Sequence, residues 1–255
     1  MAEFVYPPVI RAAITAFKAL DLRIEIVGAE HIPATGGAVL VSNHISYLDF
    51  LFAGLGAYKG GKRKTRFMAK DDVFKHAISG PLMRGMKHIS VDRTDGQPAY
   101  DEAVKALREG EVVGVFPEAT ISRSFTLKKF KTGAARMAAD AGAPLLPVVL
   151  WGTQRLWTKG RPKNLTKRHV PVTILIGEPI ELTPQDKPVM VTRRLRAAMT
   201  EMLDRAQREY PVKPAGPDDT WWQPAHLGGT APTPEVAEAE DEAEAVAKAE
   251  RRAQG

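Results

Sequence analysis

Four polar residues in this chain each follow a strand-like run: His44 after Ala38–Ser42 and Asn43, Lys70 after Arg66–Ala69, Arg93 after His88–Asp92, and Glu118 after Val112–Phe116 and Pro117. In an open α/β sheet the ligand crevice lies beyond the carboxyl ends of the strands, so residues at such places converge even when they are far apart in sequence. An imidazole, two cations and a carboxylate would then share one pocket. A single polar residue at a strand end more often marks the chain reaching solvent. Four in one chain favour a site.

His44 has a second distinguishing feature, Asp49 five residues on. On a continuous helix five residues turn about 500°, which leaves the two side chains roughly 140° apart. They meet only if the strand ends at His44 and a helix begins around Ser46 or Tyr47. A carboxylate on one ring nitrogen fixes the tautomer and leaves the other nitrogen as a general base near neutral pH. Metal ligation is the weaker reading, because there is neither an HExxH pattern nor a Cys/His cluster. The sequence also has no G-x-S-x-G elbow and no cysteine, so the attacking hydroxyl should belong to the substrate. Lys70 and Arg93 suit a phosphate on that substrate, Arg by its planar fork and Lys as a point charge. Between Lys59 and Arg93 there are ten bases against three acids, and Arg123, Lys128, Lys129 and Lys131 form a second basic run. Loop lysines such as Lys62 and Lys64 read as solvated or membrane-facing surface.

The elements that would position these residues alternate along the chain. Strands are expected at Arg23–Val27, Ala38–Ser42, Arg66–Ala69, His88–Val91, Val112–Phe116, Leu145–Leu150 and Val172–Ile176, and helices at Leu48–Tyr58, Pro98–Glu109, Gly133–Ala141 and Val191–Glu209. Interleaving of this kind specifies an α/β domain with a mixed, largely parallel central sheet flanked by helices. After Pro7 and Pro8, residues Ile10, Ala13, Ile14 and Phe17 recur at helical spacing. This short amphipathic helix either covers the protein's own core, the commoner fate, or docks on a membrane surface. The chain thus divides into an N-terminal amphipathic helix over 1–20, a main domain over 21–212, a Trp-containing extension over 213–230, and a flexible acidic tail over 231–255 without an apolar face.

Composition narrows the class. The 255 residues are 44% hydrophobic and 26% charged, which is enough apolar mass for a substantial core. Without cysteine there is no disulfide framework, thiolate metal site or Cys nucleophile. The formal charge of +6 hides an asymmetry: residues 214–255 hold nine acids and three bases, leaving 33 bases against 21 acids, a net of +12, in the rest. So basic a body suits an anionic partner: nucleic acid, an anionic membrane surface or a phosphorylated substrate. No stretch approaches the roughly 18 apolar residues needed to span a bilayer. Glu3, Arg11 and Lys18 make the start unlike a secretory signal, so an intracellular location is expected.

Four blocks occur in order: Asn43-His44-x4-Asp49, the stretch from Gly85 to Asp92-Arg93, Phe116-Pro117-Glu118-Ala119-Thr120, and Pro144–Val148. In order and rough spacing they resemble the motif blocks of the glycerolipid acyltransferases, most of all the bacterial 1-acyl-sn-glycerol-3-phosphate (lysophosphatidic acid) acyltransferases, over about residues 20 to 185. HxxxxD alone is a weak pattern; four ordered blocks are strong. The resemblance implies that His44 is the base on a glycerol hydroxyl, which attacks the thioester of acyl-CoA or acyl-carrier protein, with Asp49 orienting the imidazole. It implies that Arg93 holds the substrate phosphate with Lys70 assisting, that Glu118 positions the acceptor through its glycerol hydroxyls, and that Thr120 belongs to the substrate-binding set. The family often has a cation directly after that Thr, where this chain has Ile121, and Arg123 is the substitute. No metal or cofactor is implied. The implied partners are a phospholipid surface at the cytoplasmic face of the cell membrane, lysophosphatidic acid and the acyl donor, with no nucleic acid.

Ala119 departs from the family's usual Gly. If the position needs φ > 0, Ala costs on the order of 1 kcal/mol; if the backbone passes close to substrate, Ala narrows the site. Phe50, Leu51, Phe52 and Leu55 either line an acyl-chain tunnel or are ordinary core, and Trp221 and Trp222 either anchor the extension on the sheet domain or sit at a membrane interface. Other acceptors remain open: glycerol-3-phosphate, another lysophospholipid or a glycolipid. From other classes, a basic nucleic-acid-binding module lacks any recognition helix, zinc finger or stacking platform, and a non-catalytic lipid-binding relative would not need His44 and Asp49 intact.

Overall fold

The computed structural model describes residues 4–92, 94–183 and 185–253. Its strands are β1 (Arg23–Val27), β2 (Ala38–Ser42), β3 (Thr65–Lys70), β4 (Ile89–Val91), β5 (Val112–Val115), β6 (Leu145–Trp151) and β7 (Pro171–Ile176). Its helices are α1 (Tyr6–Ala19), α2 (Asp49–Gly61), α3 (Asp71–Lys75), α4 (Ser79–Gly85), α5 (Gln97–Arg108), α6 (Gly133–Ala141), α7 (Pro188–Arg208) and α8 (Pro234–Ala253). The strands form one sheet in the order β1-β7-β6-β2-β5-β3-β4, parallel at every pairing except β6 with β7. The expected mixed, largely parallel α/β architecture is therefore present, and β6, β2, β5, β3 and β4 all end at the same edge.

Strands buried on both faces read as near-continuous apolar runs, because helices cover each side. On one face Val39 and Val41 of β2, Val113 of β5 and Leu145 and Val149 of β6 pack with Ala103, Val104 and Leu107 of α5, Ala134, Met137 and Ala138 of α6, and Leu195 and Met199 of α7. On the other, Leu40, Phe67, Leu146, Val148, Leu150, Val172 and Ile174 meet Phe52, Ala53, Leu55 and Ala57 of α2 and Phe17 of α1. Successive side chains of β2 thus go to opposite cores, as a period of two requires.

The amphipathic stripe of α1 covers the protein's own core. Phe17 stacks on Phe52 with ring centroids 4.5 Å apart, and the Tyr6 hydroxyl donates to the Thr65 carbonyl at 3.1 Å. Arg11 and Lys18 face solvent. Among the described residues no helix is long and apolar enough to cross a membrane. Trp222 anchors the C-terminal extension: it is 1% exposed, lies 5.4 Å from the Tyr210 ring, and carries the Arg155 guanidinium 4.4 Å over its face.

The helical segments differ from the sequence expectations in two places. The short α3 and α4 fill the link between β3 and β4; with five and seven residues they are too short for a helical period to show. The Ala/Glu run, expected as a solvated tail with helical character of its own, forms α8. Its Ala/Glu composition has high helix propensity and Pro234 suits a first turn. The missing apolar face is real, since among its described side chains only Ala237 is buried.

Candidate active site

β2 ends where it does because of Asn43. Its buried amide takes over the pairing with β6, Nδ2 donating to the Leu150 carbonyl at 3.0 Å and Oδ1 accepting from the Leu150 N–H at 2.7 Å. The main chain is then free to turn at His44. The turn through Ile45–Leu48 leads into α2, whose first residue is Asp49.

Asp49 is fully buried, and four donors converge on its carboxylate. Oδ2 accepts from His44 Nδ1 at 3.0 Å and from the backbone N–H groups of Ile45 and Ser46 at 2.7 Å each, and Oδ1 accepts from the Thr153 hydroxyl at 2.7 Å. A buried charge requires such partners, and the first turn of a helix favours a negative one. With Nδ1 donating to a carboxylate, Nε2 keeps its lone pair and can take a proton from a bound hydroxyl. The His44 side chain is 21% exposed, so the imidazole is held from behind and reachable from the front. Phe116 stacks under it with centroids 4.3 Å apart.

Glu118 ties the β5 loop to the same turn. Its Oε1 accepts from the His44 N–H at 3.0 Å and its Oε2 from the Lys128 N–H at 3.0 Å. Burial pushes its carboxyl up to about 8, opposed by those two hydrogen bonds and reinforced by the charge on Asp49. The Ser122 N–H closes the clasp by donating to the His44 carbonyl at 2.7 Å. Between them, Ala119 has φ of +61°, the left-handed conformation in which glycine is the unstrained residue. Thr120 is half-buried on the same loop.

The other expected site residues are distributed differently. Lys70 stands at the end of β3, two strands from β2, which is about 10 Å across the sheet. It is ion-paired with Asp72. Arg93 lies outside the described residues. Arg123 sits beside the clasp, but its guanidinium is held by α8, 2.7 Å from Glu244 and 3.4 Å from Asp241.

Thr153 is the residue that motif reasoning missed. It follows β6 as His44 follows β2, with Gly152 between, and a fifth polar residue at a strand end is its sequence signal. Gly152 is required there: its φ is +98°, and a Cβ would fall 2.1 Å from the Pro171 carbonyl oxygen. The loop beyond Thr153 fastens the His44 turn again, Ser46 Oγ donating to the Trp157 carbonyl at 2.6 Å and Thr158 Oγ1 to the Ile45 carbonyl at 2.7 Å.

Near this edge an apolar cleft is lined by Phe50 and Leu51 of α2, Val9, Ile10 and Ala13 of α1, and Phe67 of β3. Phe52 and Leu55 are core instead. His88, also on the cleft, is an interior histidine. It accepts the Phe67 N–H at 3.0 Å, and burial, with Arg66 nearby, lowers it to about 4.

The chain matches the family model described as Acyltransferase over residues 23–151, from the start of β1 to the end of β6. The chain belongs to the acyltransferase family. This acyltransferase is 29% identical over 200 residues to the 1-acyl-sn-glycerol-3-phosphate acyltransferase of Bacillus subtilis, covering 76% of the present chain and 92% of that one. It is 30% identical over 205 residues to the human 1-acyl-sn-glycerol-3-phosphate acyltransferase alpha, covering 76% of the present chain and 71% of the human one. The crystal structure of the 1-acyl-sn-glycerophosphate (LPA) acyltransferase from Thermotoga maritima superposes with a TM-score of 0.67 over 81% of each chain at 24% identity, a likeness of fold. The matched segment of the acyltransferase contains His44, Asp49 and Glu118, while Thr153 lies just beyond it.

Proposed function

We propose that this acyltransferase transfers a fatty acyl group from an acyl thioester, of coenzyme A or acyl-carrier protein, to the free hydroxyl of 1-acyl-sn-glycerol 3-phosphate, giving phosphatidic acid. The observation that carries the proposal is the buried Asp49 carboxylate on His44 Nδ1 at 3.0 Å. His44 Nε2 removes the proton of the acceptor hydroxyl as its oxygen attacks the thioester carbonyl carbon. The tetrahedral intermediate collapses with cleavage of the C–S bond, and the imidazolium returns the proton to the departing thiolate. Asp49 stabilises the imidazolium without taking its proton, as a buried carboxylate does in other His–Asp pairs.

Arg93, Lys70 and Arg123 are assigned to the acceptor phosphate, and Thr120 is counted among the substrate-binding residues. Glu118 acts by fixing the backbone of His44 as well as by facing the acceptor. No metal or cofactor enters the chemistry. The enzyme works as a peripheral protein at the cytoplasmic face of the membrane, where its acceptor resides, with the exposed face of α1 toward anionic lipid.

The proposal is tested by turnover with a panel of acceptors: lysophosphatidic acid, glycerol-3-phosphate, a neutral lysophospholipid and a glycolipid, each with the same acyl-CoA. The highest kcat/KM is expected for lysophosphatidic acid. A preference for an acceptor without a phosphomonoester would refute the acceptor assignment and leave the transfer chemistry standing.

A further inference from the structure

Three cations rim the site, Arg123 and Lys128 from the loop after β5 and Lys159 from the loop after β6, and all three are taken by one helix. Arg123 lies 3.6 Å from Glu240, 3.4 Å from Asp241 and 2.7 Å from Glu244. Lys159 lies 2.7 Å from Asp241 and 2.9 Å from Glu244, and Lys128 pairs with Asp241 as well. Each cation is at most one residue from a group that fastens the His44 turn. Lys128 gives its own N–H to Glu118, Arg123 follows Ser122, and Lys159 follows Thr158. The cluster is also packed as a unit: a Cβ on Gly160 would come within 2.6 Å of an Arg123 guanidinium nitrogen.

The helix that fills this cluster has little else to hold it. Among the described side chains of α8 only Ala237 is buried, whereas Val236 and Val246 are 50% and 58% exposed. A segment secured by carboxylates rather than by an apolar face is released when a stronger anion takes over the same cations, because that exchange leaves none of these half-buried cations unpaired. Three convergent cations suit a phosphate group, which offers more acceptor oxygens and more charge than a carboxylate.

We propose that Arg123, Lys128 and Lys159 form a phosphate-binding site at the rim of the active site, and that α8 is its intramolecular occupant, a displaceable strap whose carboxylates stand where the phosphate binds. The proposal extends the assignment of Arg123 to the acceptor phosphate, but it does not depend on turnover. While α8 is docked, phosphate affinity is reduced by the fraction of molecules in which the strap is closed.

Calorimetric titration of the full-length chain with inorganic phosphate, at ionic strength held constant with chloride, tests this without an acyl donor. Asp241→Asn/Glu244→Gln changes only helix side chains and is expected to bind phosphate about tenfold more tightly than the wild type. Adding Lys159→Gln to that variant should abolish most of the gain. Equal affinity in the wild type and the double variant would overturn the strap, and a gain that survives Lys159→Gln would overturn the site. A second titration, with a short-chain lysophosphatidic acid below its micellar concentration, separates the two sources of phosphate. Tighter binding than inorganic phosphate assigns the site to a lipid headgroup, and equal binding assigns it to free phosphate; either supports the site. Failure of the acceptor panel with success here would leave the strap intact and the proposed acceptor wrong.

Discussion

Thr153 Oγ1 is the donor on Asp49 Oδ1, the oxygen that His44 does not use, and it is fully buried. Thr153→Val keeps the shape and removes the donor, which leaves a charged oxygen short of a hydrogen bond worth about 1.5–3 kcal/mol. Because the carboxylate then holds the imidazole less firmly, kcat is expected to fall roughly 10- to 100-fold with the acceptor KM unchanged. Thr153→Ser should restore most of it, a rescue that steady-state kinetics on the two variants would measure. A second residue-scale outcome concerns Glu118. Its folded-state pKa, about 8, lies above the ordinary glutamate value, so the folded protein keeps a proton that the unfolded chain releases. Stability from this group is therefore present below about pH 4.5 and is lost as pH rises toward 8. Urea midpoints measured at pH 5 and pH 8 should differ by more in the wild type than in Glu118→Gln. Ala119, with φ of +61°, gives a third: Ala119→Gly relieves left-handed strain and adds some unfolded-state freedom, so the melting temperature should rise by about 1–3 °C.

At the scale of elements, the central strands β2, β5 and β6 were legible as near-continuous apolar runs and β1 by its alternation of polar and apolar residues, and β1 and β2 run over the expected residues. The His44–Asp49 contact was legible too, since five residues can close only across a strand-to-helix turn. Other features depend on groups that meet only after folding. Asn43 substitutes for a β-ladder with Leu150, Glu118 spends both oxygens on backbone N–H groups, and Arg123 is captured by a helix much later in the chain. None of these has a local signature. In α1 both open readings can be tested separately, because its packing and charged faces differ. Phe17→Ala removes the ring stacked on Phe52 and should cost about 3 kcal/mol of stability, read as a fall in melting temperature of roughly 6–12 °C. Arg11→Glu/Lys18→Glu touches only the exposed face and should leave the melting temperature alone while weakening binding to anionic vesicles about tenfold or more. Unchanged sedimentation of that variant with vesicles would restrict α1 to its packing role.

For the whole molecule, five strands of one sheet deliver their carboxyl ends to a single edge, and the candidate site is assembled there from β2, α2, β5 and the loop after β6. An acidic C-terminal helix is ion-paired with the basic body through Arg123, Lys128 and Lys159. Everything in the proposed reaction depends on one imidazole, so the decisive measurement is kcat/KM for acylation of lysophosphatidic acid by His44→Ala, with the melting temperature of the same preparation as the check on folding. Loss of activity by a factor of about 10²–10⁴ or more, in a protein that melts with the wild type, is the expected result. Turnover near that of the wild type would contradict the assignment of His44 as the general base.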